Sequence, residues 1–366
     1  MTTIRKRILP SGQVRWLVDY RDSGGARRFR QFALRREAEA FRDMAAADVR
    51  AGVHTPDSLS VSVRQAAQLW LERCRLDELE RSTIAQYEIH TNKHICPLIG
   101  GVKLSRLTMP GVEAFKDKLL ETRSRVLAAK VLTSLKGLIA EAQRRGLVAQ
   151  NVATSVRVRQ DGRNERRARI PSKDEIRALI AATSEIWPAS APWRPLIICA
   201  VFTGARASEL RALSWDHVDL DKKIIRIERR ADYWNELGPT KSKAGTRDVP
   251  LSPMVTNTLK EWRIACPTSE LGLVFPSVRG RVVSPAKLHQ AWHALLEAAG
   301  LPSYGFHCLR HVAASLFIEQ GIQAKRIQEI LGHASIVQTY DRYGHLFPCA
   351  EDDQEAMRQI EARLLR

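Results

Sequence analysis

No run of 18 consecutive apolar residues occurs in this chain of 366, and its first residues lack the apolar stretch of a signal peptide. Neither membrane spanning nor secretion is expected. Cysteine is sparse. Cys74, Cys96, Cys199, Cys266, Cys308 and Cys349 are scattered with no CxxC pair, as befits reduced thiols in a cytoplasmic protein. Asp and Glu do not cluster as a two-metal nuclease requires, and no internal repeat or low-complexity tract is present.

Acidic residues are also in deficit: 40 Asp and Glu stand against 58 Lys and Arg, for a net charge of +18 and a pI near 10. Arginine supplies most of the excess, and its planar fork suits phosphate. The balance points to a polyanionic partner, most simply nucleic acid, although a merely basic soluble protein shows the same totals. The distribution adds to this. Residues 1–55 hold 12 Lys/Arg against 6 Asp/Glu, residues 56–160 hold 17 against 10, and residues 161–366 hold 29 against 24. Folded segments, not a basic tail, therefore carry the charge, as contact with DNA along the whole chain requires.

The length predicts two or three domains. In residues 1–55, Val14, Trp16, Val18 and Tyr20 alternate as on one face of a strand. Arg27–Phe32 reads as a further strand dense in arginine, and Arg35–Arg50 as a helix. Basic strands of a small sheet fit the DNA major groove, though a plain solvated sheet face has the same composition. Past a short His54–Pro56 linker, residues 60–150 read as mostly helical. Ser82 is the expected cap of a helix containing Tyr87, Pro97 and Gly100-Gly101 the expected breaks, and Val112–Glu121 and Val126–Arg145 the expected later helices. Lys93, Lys103, Arg123, Arg125 and Lys130 could line a face tracking a DNA backbone or simply be solubilising. Residues 157–170 form an arginine-rich linker. Ser172-Lys173-Asp174-Glu175 then has the capping-box pattern that opens a new domain. Within it, Trp193–Phe202 is an apolar helix stopped at Thr203-Gly204, Lys223–Glu228 a strand, and Lys241–Arg247 a hairpin leading into Val249-Pro250-Leu251. Further helices follow from Ser284 to an amphipathic tail at Glu351–Arg366. The fold class is mainly α with small antiparallel sheets, in several domains.

Four segments of this last region carry chemistry-bearing residues. Arg206 follows a glycine turn, with Glu209 three residues on and on the same helical face; His307 and Arg310 share the same spacing. Two forked guanidiniums can clamp the non-bridging oxygens of a phosphodiester in its transition state. Taken singly, each arginine is more simply a salt-bridge partner. His307 and His311 sit at i and i+4, but no HExxH pattern or third ligand accompanies them, so no metal is expected. Near the end, Leu331-Gly332-His333 is followed by Tyr340 and Tyr343.

Together, Thr203–Leu210, Thr240–Leu251, Phe306–Gly321 and Leu331–Phe347 resemble the tyrosine recombinase (phage integrase) family over residues 165–347. The resemblance implies that Arg206, Lys241, His307, Arg310, His333 and Tyr343 are catalytic and that Glu209 supports them. Lys243 is the alternative to Lys241, and Tyr340 the alternative to Tyr343. His345 is left without a role. It implies an arm-type DNA-binding domain at 1–55, a helical core-binding domain at 56–158, a linker at 159–170 and a mixed α+β catalytic domain with its tail at 171–366. The implied activity is site-specific cutting and rejoining of DNA through a 3′-phosphotyrosyl link, without metal, ATP or other cofactor. Integration or excision of a prophage or mobile element is the implied outcome. The implied partners are double-stranded DNA at core and arm attachment sites, a homo-tetramer on that DNA, a host DNA-bending protein and an excision factor, in the bacterial cytoplasm or nucleoid. A type IB topoisomerase-like relaxing enzyme and a non-catalytic DNA-binding regulator of the same fold are the alternatives.

Overall fold

The computed structural model describes residues 2–22, 24–52, 54, 56–57, 60–159, 169–344, 357–358 and 360–365. The chain divides into two compact units, Met1–Glu165 and Arg166–Arg366.

The first unit opens with an antiparallel meander, β1 (Thr3–Ile8), β2 (Val14–Arg21) and β3 (Arg27–Phe32), followed by α1 (Arg35–Arg50). The expected alternation on β2 sends Val18 and Tyr20 inward, where Ala38, Phe41 and Ala45 of α1 meet them. The arginines of β3 are more engaged than their sequence suggests. Arg27 pairs with Asp19, Arg28 with Asp22, and Arg30 with Asp57 at 3.7 Å while stacking over Phe41. The Arg27 hydrogen bond holds the Asp19 carboxyl below its usual range.

A second core in this unit gathers Trp70, Phe115, Leu135 and Leu138 from a helical bundle. Its helices are α2 (Val63–Leu76), α3 (Arg81–His90), α4 (Cys96–Ile99), α5 (Met109–Thr122) and α6 (Arg125–Arg144). Three begin at side-chain caps: Ser62, Thr108 and Ser124. Two expectations are corrected. Glu80 rather than Ser82 precedes α3, with no side-chain cap bond. Pro97 does not break the chain either. One π turn, Thr91–Ile95, carries the helix onward, and Pro97 falls in the first turn of α4, where a missing N–H costs nothing.

The second unit is built around α8 (Trp193–Thr203), whose residues from Leu196 to Val201 are all buried, as a helix apolar on every side requires. Before it lies α7 (Lys173–Ile186), opened by the Ser172/Glu175 capping box. After it come the one-turn α9 (Ala207–Leu210) and the strands β4 (Val218–Asp219), β5 (Ile224–Ile227), β6 (Arg229–Ala231), β7 (Leu237–Pro239) and β8 (Arg247–Pro250). The sheet order is β4-β5-β8, with β6-β7 a separate hairpin. The hairpin thus spans 229–239, and not Lys241–Arg247 as expected. Asp232 draws it tight by accepting the N–H groups of Trp234 and Glu236. The unit closes with α10 (Pro253–Ala265), α11 (Pro285–Ala298), α12 (Cys308–Glu319), α13 (Ala324–Leu331) and α14 (Ile336–Tyr343). In the tail, Met357, Ile360 and Leu364 are exposed. Most of the linker, the start of the tail, Cys349 and His345 lie outside the described residues. No described helix is long and apolar enough to cross a membrane.

Candidate active site

Two glycines set the framework. Gly204 ends α8 and Gly332 ends α13, both left-handed at φ +63° and +65°. A Cβ on Gly204 would lie 2.6 Å from the Leu331 side chain. One on Gly332 would lie 2.8 Å from the Ala244 carbonyl and 2.9 Å from Arg247 Nη1. Only glycine meets both the backbone angle and the space. These turns leave helix-terminal carbonyls, the negative ends of the helix dipoles, without helical partners. Three guanidiniums fill that role. Arg310 donates to Gly204 O at 2.9 Å and to Leu331 O. Arg247 donates through Nε to Ile330 O at 2.6 Å, and Arg206 to Gly332 O at 3.1 Å.

Glu209 ties two of the three together. Buried to 3% exposure, it accepts from the Arg206 backbone N–H at 2.8 Å and Arg206 Nη1 at 2.7 Å. It also accepts from Arg247 Nη1 and Nη2 at 3.2 and 2.8 Å. Burial by itself would raise its pKa. The hydrogen bonds and charge of Arg247, with the charge of Arg206, outweigh burial and hold the carboxyl below its ordinary 4.5. A depressed carboxylate contributes stability above its unfolded pKa, and that contribution fades as pH falls through the folded one. Glu209→Gln should therefore destabilise the protein by about 3 kcal/mol at pH 7, since it leaves Arg247 buried beside a neutral amide. In urea unfolding the gap from wild type should narrow below pH 4.5. A gap that stays constant with pH would show that the charge of Glu209 is not what matters.

Arg310 has no carboxylate as a hydrogen-bond partner among the described residues. At 2% exposure, burial first, and then the like charge of Arg206, pushes its guanidinium down to about 9. Backbone carbonyls hold this guanidinium rigid, and a guanidinium's planar fork can donate to two oxygens of one phosphate.

Tyr343 is buried to 1% exposure, within Coulomb range of Arg310. Its Oη lies 2.8 Å from His311 Nδ1, and its ring stacks on that of His333 at 6.4 Å and 14°. His333 is in turn oriented by Thr339 Oγ1 at 2.9 Å from Nδ1. His307 is the N-cap residue of α12, exposed, with its ring edge-on to His311 at 5.1 Å. Tyr340 and Tyr343, three residues apart on α14, differ in burial. Among the described side chains of α14, those buried are Thr339 and Tyr343, four residues apart, and Tyr340 is 50% exposed. Lys241 and Lys243 are exposed on the segment joining β7 to β8, and neither side chain makes a hydrogen bond or ion pair among the described residues.

Arg206, Glu209, Arg310, His307, His333 and Tyr343 thus converge, while Lys241 stands outside their hydrogen-bonded network. Two residues join them that sequence reasoning passed over. Arg247 is legible only as the inward position of an alternating strand, Arg247-Asp248-Val249-Pro250. His311 carried a signal, its i,i+4 spacing from His307, that suggests a metal pair. It faces the tyrosine instead, and among the described residues no third His, Cys, Asp or Glu completes a ligand set.

Residues 171–348 match the model of the phage integrase family, and residues 62–120 match that of the phage integrase N-terminal SAM-like domain. The chain is 30% identical over 253 residues to tyrosine recombinase XerC of a Mycobacterium species (strain JLS), across 65% of this chain and 79% of that one. It is 25% identical over 344 residues to a tyrosine recombinase XerC-like protein of Caldanaerobacter subterraneus subsp. tengcongensis, across 86% of each. In fold it is similar to the Tn1549 transposon integrase in complex with circular intermediate DNA (TM-score 0.68, 15% identity, 81% of this chain and 99% of that one). It is similar also to a lambda integrase dimer bound to a COC' core site (TM-score 0.63, 20% identity, 94% and 97%). With its family models, its relatives and its fold in agreement, the chain belongs to the tyrosine recombinase (phage integrase) family.

Proposed function

We propose that this protein is a site-specific DNA recombinase of integrase type, which cuts and rejoins strands through a 3′-phosphotyrosyl intermediate to integrate or excise a mobile element or prophage. The observation that carries the reading is a tyrosine hydroxyl seated among histidines beside two arginines that are pinned by backbone carbonyls. Tyr343 Oη attacks the scissile phosphorus and the 5′-oxygen leaves, so the phosphodiester energy is kept in the new bond and no ATP is needed. Arg206 and Arg310 hold the non-bridging oxygens, His333 hydrogen-bonds one of them, and His307 assists proton transfer. Lys241, exposed on its loop, reaches in to protonate the 5′-oxygen once DNA is bound. Glu209 and Arg247 position Arg206.

Residues 1–55 act in this reading as the arm-binding domain, 56–158 as the core-binding domain and 171–366 as the catalytic domain, joined by 159–170. The net positive charge of each region supports contact with double-stranded DNA throughout. A tetramer on DNA is the expected assembly; the lambda integrase tetramer bound to a Holliday junction, a structure similar in fold, supports it.

The test is trapping on a nicked DNA substrate in which the 5′-hydroxyl fragment diffuses away after cleavage. Full-length protein in EDTA should accumulate a denaturation-resistant adduct on the 3′-phosphate side. Adduct on the 5′ side, or only when a divalent metal is added, would refute the mechanism. Relaxation of plasmid lacking any attachment site as fast as strand exchange would favour a topoisomerase.

A further inference from the structure

We propose that His311, which no family position above covers, is the group that takes the proton from Tyr343 when it attacks; this rests on the reading of Tyr343 as nucleophile. A phenol is a poor nucleophile until its proton departs, and an acceptor has to lie within hydrogen-bond reach of the oxygen. His311 Nδ1 is 2.8 Å from Tyr343 Oη. The two rings sit edge to face, centroids 5.6 Å apart and planes at 60°. His307 stands one turn earlier, at the exposed start of α12.

Helix geometry explains why the second histidine takes the proton directly, while His307, edge-on to it at 5.1 Å, assists from behind. α12 buries Arg310, Val312, Ala313 and Ala314, and His311 lies half-buried on its flank beside α14. The neutral tautomer with its proton on Nε2 accepts the Tyr343 O–H at Nδ1. As the Oη–P bond forms and the P–O5′ bond breaks, that proton passes to Nδ1, and the 5′-oxygen takes a proton from Lys241. Religation returns both. No proton is lost from the site, and no co-reactant is needed. A pocket of about 350 Å³ lined by Tyr304, Cys308, His307 and His311 opens next to the imidazole. A small base from solvent has room there if the ring is removed.

The experiment is single-turnover adduct formation on the nicked substrate by the full chain. His311→Ala should slow it by about 10²-fold, the usual contribution of one proton acceptor. Added imidazole should restore at least a tenth of the wild-type rate by entering the vacated space. Independently, 3,5-difluorotyrosine at position 343 ionises more readily, so the loss caused by His311→Ala should shrink to within about tenfold. If His311→Ala does not fold, His311→Gln with the fluorinated tyrosine serves the same purpose. A wild-type rate in the variant would overturn the proposal. So would a slow rate that neither imidazole nor fluorination improves, since that is what a packing role alone gives. If Tyr343→Phe still forms adduct, the reading of the nucleophile has failed instead, whatever His311 does.

Discussion

Tyr343→Phe should form no covalent adduct on nicked DNA, a loss of at least about 10⁴-fold, because in the proposed reaction the atom that bonds to phosphorus is gone. Tyr340→Phe should keep adduct formation. The pair is a fair comparison because Phe fits where Tyr343 sits: the ring lies in the cluster of Ala314, Ile318, Ile327 and Leu331, and that packing survives the change. The hydrogen bond to His311 is lost, about 1 kcal/mol of stability. Circular dichroism melts should therefore differ little while activity vanishes. Tyr340 is 50% exposed. Adduct retained by Tyr343→Phe and lost by Tyr340→Phe would reverse the assignment.

Much of the fold was legible because local chemistry dictated it. The Ser172/Glu175 box opens α7 where expected, and β3 and α1 run over the expected residues. Gly204 stops α8 because only glycine fits both the left-handed angle and the space beside Leu331. What local pattern missed depends on partners distant in sequence. Arg247 meets Glu209, 38 residues away, and Ile330, 83 away. His311 meets Tyr343, 32 away. No periodicity within one element announces such contacts. The Lys241–Arg247 hairpin was misplaced for a similar reason. Its small and basic residues suit a turn, but the strand following them pairs with β5 rather than back on itself. Helical spacing could not show which of Tyr340 and Tyr343 is buried either, since that depends on which stripe of α14 faces the core.

The second large effect concerns Arg310. Arg310→Ala should slow adduct formation by about 10³-fold, the scale seen when one preorganised donor to a developing negative charge is removed. Affinity for DNA should fall far less, since many other Lys and Arg side chains contact the backbone in this reading. Arg310→Lys should not rescue. A lysine ammonium is a point donor that cannot reach Gly204 O and Leu331 O and still present a second face to phosphate. Single-turnover rates measured beside equilibrium binding separate the two effects. A loss of under tenfold, or one wholly explained by weaker binding, would remove Arg310 from the transition-state clamp.

The carbonyl cradle of the three arginines has a consequence in charge balance. Arg206, Arg247 and Arg310 carry three positive charges and Glu209 one negative, and the remaining partners are neutral backbone. The core of the site is therefore +2. In the proposed reaction a bound phosphodiester brings −1, and on attack the charge on the phosphoryl oxygens rises to −2 while the Tyr343 proton stays on His311, so the developing negative charge lies directly against the guanidiniums. By holding two of its guanidiniums with dipoles instead of further carboxylates, the protein fits its electrostatics to the reaction's midpoint rather than to bound DNA.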